Sequence, residues 1–145
     1  MTGVGVPSPS CILILDDDLV NRSLIRAILT RADDASIRDA ILHEAGSLAE
    51  ARVILDREIV DLLLLDVHLP DGLGLTLATD LSRERPDRPA ILALTASVLP
   101  ADQRAALDAG CDAFLAKPFP ARDLVAASAR LLDGRRERAN QLRAL

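Results

Sequence analysis

The stretch Leu62-Leu63-Leu64-Leu65-Asp66-Val67-His68-Leu69-Pro70-Asp71-Gly72 decides how this chain is read. Four consecutive leucines are apolar enough for full burial, yet the run stops on a carboxylate followed by a turn. An apolar run this short, bounded by turn residues, reads as a strand buried on both faces. A carboxylate at its end is costly unless groups from elsewhere in the chain converge on it.

Similar runs recur on either side of this stretch. "CILIL" (11–15), the weaker "AILHEA" (40–45), "VDLLLLD" (60–66), "AILALTA" (90–96) and "AFLAK" (113–117) read as five strands. Helical patterns separate them. Residues 19–32 repeat Leu24, Ile25, Ile28 and Leu29 at helical spacing, and Ser47 with Glu50 forms a capping box ahead of Ala51, Ile54 and Leu55. Further helices are predicted near 74–85, 101–109 and 120–132, and the boundaries within 33–39 stay open. Strands alternating with helices imply a parallel sheet covered on both faces, an α/β doubly wound fold. Ligand sites in such folds lie beyond the carboxyl ends of the strands.

Composition narrows the function classes. A chain of 145 residues, half of them hydrophobic, fits one domain with one core, here spanning 11–132. Aromatic residues are only 1% of it, so Leu, Ile, Val and Ala must fill that core. The net charge of −5 argues against a nucleic-acid surface, which needs clustered Lys and Arg. Cys11 and Cys111 lack CxxC spacing and read as small core hydrophobes. Residues 1–10, "MTGVGVPSPS", carry neither a positive segment nor an apolar core and read as a flexible lead. No apolar run approaches the ~18 residues of a membrane helix, so the expectation is a cytoplasmic protein with no membrane or nucleic-acid partner. Residues 133–145, "DGRRERANQLRAL", form a basic tail that either frays in solvent or prolongs the last helix.

Four strand ends present polar groups: Asp16-Asp17-Asp18, Asp66, Thr95 and Lys117-Pro118. A single Asp at such a point is ordinarily a turn or cap residue. Four together point to a site. Carboxylates of Asp16, Asp17 and Asp66 at one edge would repel one another, each pair by a few kcal/mol at ~4–6 Å with an effective dielectric of about 20. A divalent ion that takes only oxygen ligands relieves this, and Mg²⁺ fits because it combines one or two carboxylates with water and phosphate oxygens. Lys117 and Thr95 suit phosphoryl oxygens. Asp66, alone at the end of the most buried strand, is the candidate nucleophile; Asp16 and Asp17 are candidate metal holders, and Asp18 a helix cap.

The motifs "ILILDDD", "LLLLDVHLPDG", "ILALTAS" and "AFLAKPF", in this order, resemble the receiver domain of two-component response regulators. The likeness covers about 11–132 and is strongest to the receivers of hybrid kinases and phosphorelays. It implies a five-stranded flavodoxin-like sheet of order 2-1-3-4-5. It further implies that Asp66 accepts a phosphoryl group from a phosphohistidine on a histidine kinase or histidine phosphotransfer protein. Asp16, Asp17, Asp66 and the backbone carbonyl of His68 would hold Mg²⁺ or Mn²⁺. Thr95 and Lys117 would bind the phosphoryl group, with a cis Lys117-Pro118 bond, and Thr95 with Phe114 would form a switch. The switch alters a face read by a downstream protein target and able to pair two phosphorylated copies.

This sequence departs from the common receiver pattern at Phe114, which lacks the hydroxyl of the usual tyrosine. His68 and Ser97 stand where side chains tune loss of the phosphoryl group. Such a chain switches rather than turning over substrate, so it is not expected to be an enzyme. Two alternatives belong to other classes. One is a receiver-fold scaffold acting without phosphorylation. The other is an aspartate-nucleophile phosphohydrolase, disfavoured because His68 stands where such enzymes place a second Asp.

Overall fold

The structure, a computed structural model, describes residues 8–144. Residues 1–7 of the expected lead and Leu145 of the tail lie outside the described residues. In chain order the elements are β1 (Cys11–Leu15), α1 (Leu19–Thr30), α2 (Ala35–Arg38), β2 (Ile41–Ala45), α3 (Leu48–Arg57) and β3 (Leu62–Asp66). There follow β4 (His68–Leu69), β5 (Gly72–Leu73), α4 (Gly74–Glu84), β6 (Ala90–Thr95), α5 (Pro100–Asp108), β7 (Ala113–Ala116) and α6 (Ala121–Ala144). Five strands form one parallel sheet in the order β2-β1-β3-β6-β7, and β4 pairs with β5 in a separate antiparallel hairpin. Counting the main sheet alone, this is the expected order 2-1-3-4-5.

The buried leucine run is the central strand β3, flanked by β1 and β6. All three are buried along their whole length, whereas the edge strands β2 and β7 are mostly half-buried. Alternate residues feed two cores. Leu13, Leu15, Leu63, Leu65 and Ile91 pack with Leu48, Ala51 and Leu55 of α3 and Leu77, Ala78 and Leu81 of α4. Ile12, Ile14, Leu62, Leu64 and Leu92 pack with Ile25 and Leu29 of α1, Ile37 of α2 and Leu124 of α6. A continuous apolar run, rather than an alternating one, is what burial on both faces requires. Cys11 and Cys111 are free thiols in the first of these cores. Burial pushes their thiols up to about 11 and about 12, with the nearby acids adding to the effect.

The structure departs from the sequence reading at the hairpin β4–β5, which lies within what reads as a loop after Asp66, and at Leu24, and it settles two points left open, the segment 33–39 and the C-terminal extension. Leu24, grouped with the apolar stripe of the first helix, is 58% exposed, because only Ile25 and Leu29 of α1 face the sheet fully. The open segment 33–39 contains the one-turn helix α2, capped by Asp34, whose side chain accepts from the Ser36 amide. The last helix does not stop near 132. It continues to Ala144, and Arg135 anchors it beneath the sheet: Nη1 lies 2.8 Å from Asp61 Oδ1, and Nη2 donates to the Asp87 carbonyl at 3.0 Å. Asp61 in turn accepts the Cys11 amide at 2.8 Å, so the extension is tied to the start of β1. Among the described residues, no helix is long and apolar enough to cross a membrane.

Candidate functional site

Parallel strands bring their carboxyl ends to one edge, and β1 and β3, hydrogen-bonded neighbours, deliver Asp16 and Asp66 side by side. One carboxylate oxygen from each of Asp16, Asp17 and Asp66 lies within 4.8 Å of the others. Asp16 and Asp66 are buried, and Asp17 is exposed. Lys117, just beyond β7, reaches over this group: Nζ stands 3.3 Å from Asp16 Oδ2 and 3.7 Å from Asp66 Oδ1.

The electrostatics follow from this crowding. Desolvation raises the pKa of the Asp66 carboxyl; the Lys117 charge opposes the rise, while the charges of Asp16 and Asp17 add to it. One lysine against three carboxylates leaves an excess of negative charge among oxygen-only donors. That donor set suits a hard divalent cation such as Mg²⁺.

Local hydrogen bonds hold the acids in place. Asp16 Oδ1 accepts the Asp18 amide at 2.9 Å, and Asp18 caps α1 by accepting the Val20 amide at 2.8 Å. The His68 amide donates to Asp66 Oδ1 at 3.3 Å, so the peptide chain after Asp66 bends back over its own carboxylate. Thr95 is one residue beyond Leu94, the register partner of Asp66. Its Oγ1 accepts the Ser97 amide at 3.0 Å, and its carbonyl accepts the Lys117 amide at 2.7 Å. The Lys117-Pro118 peptide is cis. Phe114 is half-buried in β7, packed against the core shared with α3, α4 and α5. Ser97 bonds Asp102 of α5 at 2.5 Å, and His68 is exposed.

A cleft of about 310 Å³ opens beside Asp16 and Lys117, walled by Leu24, Ile25 and Ile28 of α1 and by Pro118 and Phe119. The exposure of Leu24 thus falls beside the acidic site.

A family model for the response regulator receiver domain matches residues 12–129. The chain belongs to this family. The receiver is 38% identical over 119 residues to Protein PetR of Rhodobacter capsulatus, covering 81% of this chain and 46% of that protein. It is 34% identical over 121 residues to the aerobic respiration control protein ArcA of Escherichia coli K12, covering 83% of this chain and 48% of that one. The chain therefore spans about half the length of these curated relatives. Hybrid signal transduction histidine kinase G of Dictyostelium discoideum is also similar, at 32% identity over 116 residues, covering 78% of this chain and 3% of that protein. Among solved structures, a CheY-like receiver domain protein from Methanospirillum hungatei superposes with a TM-score of 0.78 at 27% identity, covering 90% of this receiver and 98% of that chain.

Three groups that hold the site carry no strong local signal in the sequence. Arg22 grips the Asp16 carbonyl, Glu44 grips Arg22, and Asp71 caps α3 by accepting the Leu48 amide at 3.0 Å and the Ala49 amide at 3.2 Å. "PDG" reads as a turn and nothing more. Its aspartate is committed to a helix 22 and 23 residues earlier in the chain.

Proposed function

We propose that this receiver, as residues 11–132 with a lead (1–10) and a C-terminal extension (133–145), accepts a phosphoryl group on Asp66 from a phosphohistidine of a histidine kinase or phosphotransfer protein. The convergence of Asp16, Asp17 and Asp66 beneath the Lys117 ammonium carries this reading. In the transfer an Asp66 oxygen attacks phosphorus, the P–O bond forms, and the P–N bond to the partner imidazole breaks. Mg²⁺ or Mn²⁺, held by Asp16, Asp17, Asp66 and the His68 carbonyl, would offset the charge of the carboxylates and the transferred group.

The remaining steps belong to the protein. Lys117 neutralises the phosphoryl oxygens, and its side chain exchanges its present carboxylate partners for them. The Thr95 hydroxyl, now occupied with the Ser97 amide, turns to a phosphoryl oxygen. Phe114 fills the space this vacates, which reshapes the face of α5, β7 and α6 for a downstream protein target or a second phosphorylated copy. The cleft beside Asp16 and Lys117 leaves the acidic edge open to the partner's phosphohistidine. The receiver gains and loses one phosphoryl group rather than turning over substrate, and it works in the cytoplasm.

Incubation with acetyl phosphate and Mg²⁺ tests this. Intact-mass analysis is expected to show one added phosphoryl group, lost in Asp66→Asn. Undiminished labelling of Asp66→Asn would overturn the assignment of the acceptor. Absence of any labelling, with no binding of Mg²⁺ and beryllofluoride by NMR, would favour the scaffold. Steady Asp66-dependent hydrolysis of small phosphate esters would favour the phosphohydrolase.

A further inference from the structure

The acidic group is held from behind by a charge network that the phosphoryl chemistry does not itself require. Arg22, in the first turn of α1, is largely buried, its side chain 17% exposed. Its Nη1 donates to the Asp16 carbonyl at 2.6 Å, and its Nε donates to Glu44 Oε1 at 3.1 Å. Glu44 lies within β2 and receives Arg26 Nε on its other oxygen at 2.7 Å. Desolvation alone would raise the Glu44 carboxyl, but the hydrogen bonds and charges of Arg26 and Arg22 outweigh it and hold the carboxyl below its usual range. Gly46 leaves the guanidinium room to pass: a Cβ there would stand 3.1 Å from Arg22 Nη1.

The consequence falls on one peptide. The Asp16 amide donates to the Ala45 carbonyl at 3.1 Å, so the backbone entering Asp16 is fixed by β2. The carbonyl leaving Asp16 belongs to the Asp16–Asp17 peptide, and Arg22 fixes its direction. The carboxylates on either side of that peptide are two of the three that converge. A free guanidinium this near three carboxylates would pair with them directly. Glu44 supplies the competing carboxylate and holds Arg22 on the main chain instead.

We propose that Arg22 is a positioning residue for the acidic site. It orients the Asp16–Asp17 peptide so that both carboxylates face Asp66, and Glu44 keeps it from occupying the site itself. This rests on the reading of the site as a Mg²⁺ and phosphoryl centre. Groups behind metal ligands typically contribute about 10–100-fold in metal affinity, so removing this one weakens the site without removing a ligand.

The test is titration with Mg²⁺, followed by amide NMR shifts, of the parent chain and of Arg22→Met, Arg22→Lys and Glu44→Gln. The Mg²⁺ dissociation constant is expected to rise about tenfold in Arg22→Met. Arg22→Lys recovers part of this, since an ammonium reaches the carbonyl but cannot hold Glu44 as well. Glu44→Gln weakens binding too, because its neutral amide no longer restrains Arg22. Acetyl phosphate labelling of Arg22→Met is slow at low Mg²⁺ and returns toward the parent rate as Mg²⁺ is raised; because Mg²⁺ binding would also rescue a destabilised fold, the variant is assayed at a temperature where its Mg²⁺-free melt shows it fully folded. If Arg22→Met does not fold, Glu44→Gln, which keeps the side-chain volume, decides. Mg²⁺ constants within twofold of the parent in the folded variants would overturn this inference alone. A parent chain that binds no Mg²⁺ would overturn the reading of the site, and this inference with it.

Discussion

Asp66 shows what a buried carboxylate costs and why this one is tolerated. It is buried, with two further carboxylates within 4.8 Å and one ammonium 3.7 Å away. Its folded-state pKa is raised, with desolvation the largest cause. The ionised form therefore destabilises the fold at pH above the folded pKa, and the penalty disappears as pH falls below the unfolded value of about 3.9. In Mg²⁺-free buffer at neutral pH, Asp66→Asn is expected to melt several degrees above the parent, because the amide removes a charge but still accepts the His68 amide. The gain should shrink toward zero as the pH is lowered into the carboxylate range. Added Mg²⁺ should raise the melting temperature of the parent more than that of the variant. A thermal scan in which Asp66→Asn melts lower at neutral pH would refute the desolvation argument. That Asp66 is special was legible in the sequence, since a charge directly after four leucines is conspicuous. That its pKa rises despite a nearby lysine depends on distances no local pattern carries.

At the scale of elements, the short hairpin β4–β5 connects the acidic edge to two helices. Asp71 pins it to the N-terminus of α3, where its carboxylate, exposed to solvent, accepts two main-chain amides that would otherwise lack partners. At its other end, Gly74 opens α4 directly against the end of β3. A Cβ on Gly74 would collide with the Asp66 carbonyl and stand 2.9 Å from Leu65 Cδ1, so only glycine lets the helix start this close. Gly74→Ala is expected to cost about 1–3 kcal/mol in urea denaturation, the usual range for overpacking. It should also slow acetyl phosphate labelling, because the displaced backbone is that of Asp66. Unchanged stability would show that the strand end shifts freely. Helices α3 and α4 were legible from spacing and turn residues, but the two short strands β4 and β5 were not, since two residues are too few to show a period. The capping box illustrates the remainder: Ser47 accepts the Glu50 amide as expected, but the Glu50 carboxylate returns to the Gly46 amide, one residue before the cap.

For the whole molecule, the long α6 decides where the folded body ends. Leu132 is buried, and Arg135, 13% exposed, bridges Asp61 and the carbonyls of Asp87 and Arg88 across the amino-terminal edge of the sheet. Arg136 adds a bond to Ser10 Oγ at 2.8 Å. Arg135→Ala is expected to lower unfolding stability by about 1–3 kcal/mol, the range for hydrogen bonds to a charged group and for leaving partners unpaired. Ending the chain after residue 132 should cost at least as much. A urea midpoint unchanged by the truncation would show that the extension is dispensable. The sequence by itself determined the doubly wound class, the five strands and the acidic strand ends, because periodicity and the ends of apolar runs are written locally. The tertiary structure alone decided that Leu24 faces outward beside the site, that Arg22 and Glu44 brace Asp16, and that the basic tail is docked. Each of those rests on partners far apart in the chain, Arg135 and Asp61 being 74 residues apart, which meet only once the sheet has brought them together.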